Sequence, residues 1–532
     1  MSETRFDIAI NNARILDGTG GAPMPGSIGI RNGLIAEIHP EMGESDALTG
    51  AETIDAQGQI LCPGFIDLHS HADFSLISSP EAITQLTQGV TTLLTGNCGT
   101  SPFPVSDLAA IQAATSFLRP ELDWSWTDAA GFTEALHRSR PAVNAALQVG
   151  HGALRIAAKL NADRAPTPEE LERMCDLLRQ AAGAGVHGFS TGLIYAPGSF
   201  AATAEVEALA HVAAECGLLY STHMRNETDN LLESVAEAIA VARLTGVRLE
   251  ISHIKAMGPR NHGKVEEALQ MMSDARADGI DVTADVYPYT ASSTSLSSRL
   301  PGWALDGGSH SLLLRLANQD QRQRISAALA TRFDGEIDPA GIVLADLAPG
   351  KYSEWIGHSL AEIAAGYDIT AHEAAINVLV DHDAAVAIIN HAMADSDVEA
   401  ALRDPHVSVA SDGWIMTPDG DGKPHPRSFG TFTRVLGHYV RERGVLSLEE
   451  AVRKMTSLPA SRAGLHDRGR IGVGLVADLA VFDPTLIADK STYEQPWQLS
   501  EGVAHVIVGG RFALKDYKPM SAGAGRVLMT ST

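Results

Sequence analysis

The first chemical signal lies in Cys62-Pro63-Gly64-Phe65-Ile66-Asp67-Leu68-His69-Ser70-His71, an apolar run that ends in His-x-His. Residues two apart on a strand point to the same side, so His69 and His71 can face one metal ion. In a chain with 20 histidines one such pair arises easily by chance, and its weight comes from its company. Four further apolar runs end in groups of the same kind: Thr95-Gly96-Asn97-Cys98-Gly99, Tyr220-Ser221-Thr222-His223, Glu250-Ile251-Ser252-His253 and Ala410-Ser411-Asp412-Gly413. A lone cysteine or histidine is usually structural. Five run ends bearing Cys, His or Asp call for a common cause, and thiolate with imidazole favours zinc. A closed four-coordinate structural site is the alternative; an open site with three protein ligands would activate water for hydrolysis.

Such groups meet only if the elements behind them converge. The middle of the chain alternates strand-like runs with amphipathic helices. Runs end near Asp67–His71, Leu93–Thr95, Leu147–Val149, Phe189–Ser190, Ser221–His223, Ile251–His253, Asp285–Val286 and Ala410–Asp412. Thr167-Pro168-Glu169-Glu170 opens one helix with an N-cap, a proline and acids in the first turn. Thr203-Ala204-Glu205 opens another, and Asn230–Leu244 and Val265–Arg276 are alanine-rich and amphipathic. Eight alternating units predict a parallel (β/α)8 barrel, whose strand tips form one mouth. Both ends of the chain read instead as short strands, with an Asn32-Gly33 hairpin turn, and predict a small β-sandwich built from both termini. The expected division is sandwich over 1–62, barrel over 63–296, an insertion or lid over 297–350, barrel again over 351–468 and sandwich over 469–532. An apparent extra strand, Ala384–Ile389, lies between the seventh and eighth runs. Two turn-rich segments, 258–264 and 418–424, are candidates for mobile loops over the mouth.

Lys plus Arg is 40 and Asp plus Glu is 65, so the formal charge is −25. That balance disfavours nucleic-acid and anionic-membrane partners, but not a small anion held by local cations. Cys62, Cys98, Cys175 and Cys216 are too few for a disulfide framework and fit a reducing cytosol. The N-terminus lacks the apolar core of a secretory leader, and no run approaches the roughly 18 apolar residues of a membrane span. The expectation is a cytoplasmic enzyme acting on a small molecule.

The motifs PGFIDLHSHAD, TLLTGNCGTSPFPV, GFSTGLIYAPG, YSTHMRNE, ISHIKAMGP, DVYPYTASST, ASDG and HPRSFGTF run from end to end of the chain. On them the sequence resembles the amidohydrolase superfamily, and within it the N-acyl-D-amino-acid deacylases (D-aminoacylases). Many superfamily members bridge two metals with a carboxylated lysine on the fourth strand; here Gly188-Phe189-Ser190-Thr191-Gly192 has none. The D-aminoacylase branch uses a cysteine after the second strand, and Cys98 stands there.

The resemblance implies that Cys98, His223 and His253 hold one zinc ion tightly. His69 and His71 line a second, weaker metal position, and Asp412 is the general base and acid. It also implies that Lys255, Tyr195, Tyr287, Ser293 and Arg427 grip the substrate's α-carboxylate or scissile carbonyl. The expected reaction is zinc-dependent hydrolysis of an N-acyl-D-amino acid to a carboxylate and a D-amino acid. The alternatives are another amidohydrolase activity, on a dipeptide, a cyclic amide or another N-acyl amine, and more remotely a non-catalytic barrel scaffold. A scaffold would have lost a ligand or Asp412, and all are present.

Overall fold

The computed structural model describes residues 6–40, 47–115, 122–521 and 523–530. Residues 1–5, part of the segment expected to form no secretory leader, lie outside them. Eight strands form one parallel sheet: β1 (Phe65–Asp67), β2 (Val90–Thr95), β3 (Asn144–Gly150), β4 (Gly188–Gly192), β5 (Leu219–His223), β6 (Arg248–Ile251), β7 (Val282–Val286) and β8 (Val407–Val409). Each pairs with its neighbour in sequence order. All eight expected runs are therefore strands. They are buried along almost their whole length, as strands must be when helices cover one side of the sheet and a packed barrel interior the other.

The ring closes between β8 and β1, just beyond the strands themselves. Ser70 bridges Gly413 in parallel register. Asp412 N donates to His69 O at 2.8 Å, and His71 N donates to Gly413 O at 2.8 Å. Beneath these bonds Asp67 accepts from Ser411 N at 2.9 Å and Ser411 Oγ at 2.5 Å. The segments that shut the barrel are thus the ones that carry His69, His71 and Asp412.

The helices begin where their residues allow. Thr167 accepts from Glu170 N at 3.3 Å while Glu170 accepts from Thr167 N at 2.8 Å, a reciprocal cap that opens Pro168–Gly183. Thr203 starts its helix, but its hydroxyl donates to Glu237 at 2.7 Å and does not cap it. Apolar faces of these helices and the outward side chains of the strands make one continuous core, in which Phe189 stacks on Tyr220 at 5.7 Å. Full burial of each such side chain contributes roughly 1.5–3 kcal/mol.

Both termini build one nine-stranded sheet, joined where Ile60–Pro63 pairs antiparallel with Leu479–Phe482. Asn32 (φ 53°) and Gly33 (φ 79°) make the expected hairpin turn, since both occupy the left-handed region. The sheet curls on itself, with Leu34 bridging Val476, and a Cβ at Gly510 would sit 2.5 Å from Gly33 Cα, so glycine is required where the turn before Arg511–Lys515 meets the Asn32-Gly33 turn. The two layers expected of a sandwich are halves of this one curled sheet. The last described residues leave it. Val527 bridges Ala145 of β3, and Leu528 packs with Ile66, Leu94, Ala146 and Leu219 at the closed end of the barrel.

The expected insertion is longer than 297–350. Strand Val386–His391 pairs with both Ala291–Ser295 and Ile342–Leu347. The four helices Gly308–Ala317, Gln319–Phe333, Leu360–Tyr367 and Ala371–Asp381 share a separate core with it, including Leu312, Ile325, Leu344 and Val378. The unit closes only when the chain returns at 391, so 351–391 belongs to it and not to the barrel. The extra strand seen in the sequence is its central one.

Candidate active site

The site is assembled by backbone turns that follow the strand tips. Cys98 (φ 52°), His253 (φ 38°) and Asp412 (φ 49°) all occupy the left-handed region, which costs a non-glycine residue about 1–2 kcal/mol. Local hydrogen bonds hold them there. His253 N donates to Asp285 Oδ1 at 2.8 Å, Asp412 N donates to His69 O, and Gly99 N, next to Cys98, donates to Ser190 Oγ at 3.0 Å. The turns swing the three side chains toward one point.

At that point Cys98 Sγ lies 3.3 Å from His69 Nε2, 3.6 Å from His223 Nδ1 and 3.5 Å from His253 Nε2. Asp412 Oδ1 lies 3.5 Å from His69 Nε2 and 3.0 Å from His71 Nε2. All six residues predicted to form the metal site and proton carrier therefore converge. The outward nitrogens face carboxylates: His69 Nδ1 is 3.3 Å from Asp285, and His253 Nδ1 and His223 Nε2 are 3.1 and 3.4 Å from Glu227. Behind His69 the Asp285 carboxylate turns the opposite lone pair inward, as metal ligation requires; behind His253 the Lys255 amine lies closer still, 2.7 Å from Nδ1.

The electrostatics suit a bound cation. Burial, with the Asp412 charge adding to it, pushes the Cys98 thiol well above its usual range. Burial drives His69 far below its usual value and His253 down to about 3, so these rings are neutral. Burial also lifts Asp285 to about 7. At Asp412 burial opposes ionisation, yet Arg427, His253 and His71 together hold the carboxyl well below the usual range. Neutral imidazoles around a thiol that needs a compensating positive charge to ionise fit zinc.

A cavity of about 340 Å³ opens from this cluster. Cys98, His71, His253 and Asp412 line its inner end, with Tyr195, Ser293 and Arg427 along its walls. Ile111, Ile156 and Leu312 line its outer part, so the insertion supplies one wall. Arg427 is 1% exposed. Its Nη1 is 2.8 Å from Asp412 Oδ2, its Nη2 donates to Ser293 O at 3.2 Å, and its Nε has no hydrogen-bond partner among the described residues. Tyr195 OH is 3.1 Å from Thr294 Oγ1, and its ring meets that of His223.

Lys255 and Tyr287 sit differently from the expectation. The Lys255 ammonium lies behind the His253 ring, 2.6 Å from Glu227 Oε1 and 2.7 Å from His253 Nδ1, and does not line the cavity. Tyr287 stands between two cations, its ring 5.7 Å from Lys255 Nζ and 4.9 Å from the Arg427 guanidinium. Neither turn-rich loop forms a wall. Gly258 N is tied to Ala392 O and Gly263 N to Asp397, while Lys423 N is tied to Ala345 O and Gly422 O to Trp497. His151, at the tip of β3, is buried against Glu205 at 2.7 Å.

Sequence patterning missed Glu227, Asp285 and Arg299. Glu227 stood within the quoted YSTHMRNE motif, four residues past His223, and Asp285 closed a strand run; each is a signal that was open to reading. Arg299 had none. It is 3% exposed, and its Nε and Nη2 both donate to Ser298 Oγ at 3.1 Å, directly behind a residue that lines the cavity. Among the described residues no carboxylate pairs with it.

A closed parallel barrel with a Cys-His cluster at its strand tips is the architecture of a metal hydrolase, and residues 52–513 match the model of the amidohydrolase family, to which the chain belongs. It is 37% identical over 526 residues to an N-acyl-D-glutamate deacylase of Alcaligenes xylosoxydans xylosoxydans, covering 99% of this chain and 97% of that one. It also superposes on the crystal structure of N-acyl-D-glutamate deacylase from Bordetella bronchiseptica, which holds zinc and a phosphonate mimic of the tetrahedral intermediate. That match has a TM-score of 0.84 and 36% identity, covering 99% of this chain and 100% of that one. A D-aminoacylase structure described by one-metal activation and second-metal attenuation of its binuclear centre matches with a TM-score of 0.81 and 32% identity, over 99% of this chain and 100% of that one.

Proposed function

We propose that this chain is a zinc-dependent deacylase that hydrolyses N-acyl-D-amino acids to a carboxylate and a D-amino acid. The observation that carries the reading is the convergence of Cys98, His223 and His253 at the inner end of a cavity whose wall presents Arg427. The activities of these relatives, on N-acyl-D-glutamate, support the substrate class.

Cys98, His223 and His253 would hold one zinc ion tightly, and His69 and His71 would line a second, weaker position. Zinc supplies Lewis acidity, which polarises an amide carbonyl and brings the pKa of water toward about 7. Asp412, ionised at neutral pH, takes the proton of the attacking water and returns it to the leaving nitrogen. Arg427 offers its Nε to the α-carboxylate, with Ser293 and the Tyr287 ring beside it. A carboxylate arriving at Arg427 competes with Asp412 for the guanidinium and so raises the basicity of Asp412 as the substrate seats. The Tyr195 hydroxyl faces the carbonyl end.

Arg299 favours an acidic substrate side chain, because its buried guanidinium has only the Ser298 hydroxyl as a hydrogen-bond partner among the described residues, and such a group binds a carboxylate well. A cytoplasmic setting is supported by four unpaired cysteines. Among the described residues no helix is long and apolar enough to cross a membrane. The net charge of −25 speaks against nucleic acid as a partner.

The test is amine release from paired N-acetyl-D- and N-acetyl-L-amino acids by zinc-loaded protein, with Asp412→Asn as control. Release from D forms, lost in the control by about 10²–10⁴-fold, is the expected result. Silence from every member, with zinc bound, sinks the deacylase reading and leaves another amide substrate.

A further inference from the structure

The cavity that opens from the proposed metal site changes character along its length. Among the described residues, the one carboxylate and the one guanidinium that line it, Asp412 and Arg427, stand together, 2.8 Å apart, next to His71. Its outer part is walled by Ile111 of the helix Leu108–Ala114, which follows β2, by Gly152, Ala153 and Ile156 of the helix His151–Ala157, which follows β3, and by Leu305 and Leu312 of the insertion. Ile111, Ala153, Ile156 and Leu312 are buried side chains. Helix Leu108–Ala114 packs against both His151–Ala157 and the insertion helix Gly308–Ala317. Beyond β3, Asp163 N donates to Asp306 Oδ1 of the insertion at 3.0 Å and ties the two sides together. The apolar wall is thus built from three separate segments of the chain, fastened to one another.

We propose that the acyl group this enzyme removes is an unbranched aliphatic chain longer than acetyl, seated along Ile111, Ala153, Ile156 and Leu312. The direction follows from the order of strands around the barrel. The scissile amide sits at the metal ligands, and its α-carboxylate lies at Arg427, which follows β8, beside Ser293, which follows β7. The two ends of a trans amide point away from each other, so the acyl end points to the opposite half of the ring, where β3 and β4 stand. From that half projects the helix His151–Ala157, with Ala153 and Ile156 on the cavity. An apolar wall gains from every methylene that displaces water from it. A charged acyl group finds no Asp, Glu, Lys or Arg side chain among the described residues that line this part. The inference rests on the deacylase reading and names the acyl group for it.

The test is amine release by the zinc-loaded full-length protein from N-acetyl-, N-butyryl-, N-hexanoyl- and N-octanoyl-D-glutamate. The value of kcat/KM is expected to rise up to about fourfold per added methylene, and at least about tenfold from acetyl to hexanoyl. Ala153→Leu fills the proposed seat and is expected to lower the hexanoyl-to-acetyl ratio about tenfold or more. Both substrates are read on one protein, so a partial loss of folded enzyme cancels from the ratio. Should Ala153→Leu fail to fold, Ile156→Thr puts a hydroxyl on the same wall and is expected to lower the ratio severalfold. A series that is flat or falls from acetyl onward overturns the proposal. So does a rising series whose ratio the folded variant leaves unchanged, because the chain then lies elsewhere. Activity without a chain-length gain defeats this inference alone, whereas silence from every chain length, with zinc bound, defeats the deacylase reading and this inference with it.

Discussion

Asp412 donates its backbone N–H to the carbonyl of His69 at 2.8 Å, so the proposed proton carrier and a metal-facing imidazole are joined by a bond that closes the barrel. Catalytic geometry and fold closure are here the same set of contacts. Asp412 cannot move relative to His69 without opening the ring between β8 and β1.

Asp67 makes that coupling measurable. Its carboxyl, lifted to about 7 by burial, takes both the backbone and the hydroxyl of Ser411 just below Asp412. Asp67→Ala leaves a buried N–H without a partner and is expected to cost about 1–3 kcal/mol in denaturant unfolding. Amine release should fall as well, because Asp412 loses its support. Full activity in a destabilised variant would separate closure from catalysis.

Cys98 should be visible as a ligand. Cobalt(II) bound by a thiolate shows sulfur-to-metal charge-transfer absorption in the near ultraviolet. Cobalt-loaded protein is expected to show that band, and Cys98→Ser to lose it while keeping the visible d–d bands. A band that survives the substitution would remove Cys98 from the ligand set.

Arg427 and Arg299 should separate by substrate. Arg427→Met is expected to raise KM about tenfold or more for every N-acetyl-D-amino acid, since charge-assisted hydrogen bonds are worth about 1.5–3 kcal/mol. Arg299→Met should lower kcat/KM by a similar factor for N-acetyl-D-glutamate and leave N-acetyl-D-leucine unaffected. Equal losses on both substrates would make Arg299 a structural residue.

His187 gives a pH dependence of stability. It is buried, neither ring nitrogen has a hydrogen-bond partner among the described residues, and burial followed by the Arg248 charge lowers its pKa to about 4. The folded protein then binds fewer protons than the unfolded chain between about pH 4 and the ordinary value of 6.5. The contribution is fully present above pH 6.5 and is lost as pH falls through 6.5 toward 4. That shift corresponds to about 3 kcal/mol. His187→Phe should flatten the unfolding free energy over this window, and parallel curves for wild type and variant would contradict it.

The barrel was legible because burial on both sides of a parallel strand writes continuous apolar runs, and Cys98, His223, His253 and Asp412 each stood at the end of one. Asn32-Gly33 and Thr167-Pro168-Glu169-Glu170 were legible for a local reason: positive φ and reciprocal capping depend on adjacent residues alone. The end of the insertion was not, because strand Val386–His391 is defined by partners some 45 and 95 residues away in the chain.

The sequence by itself determined which residue types stand at each strand tip, and with them that a thiol, several imidazoles and a carboxylate would share one mouth. Only the tertiary structure decided what stands behind them: Glu227 between two rings, Asp285 under His69, Lys255 turned from the cavity and Arg299 alone behind Ser298. The reason is physical. A tip residue's direction follows from the period of its own strand, whereas a side chain's partner is chosen by distance across the barrel, which no local pattern records.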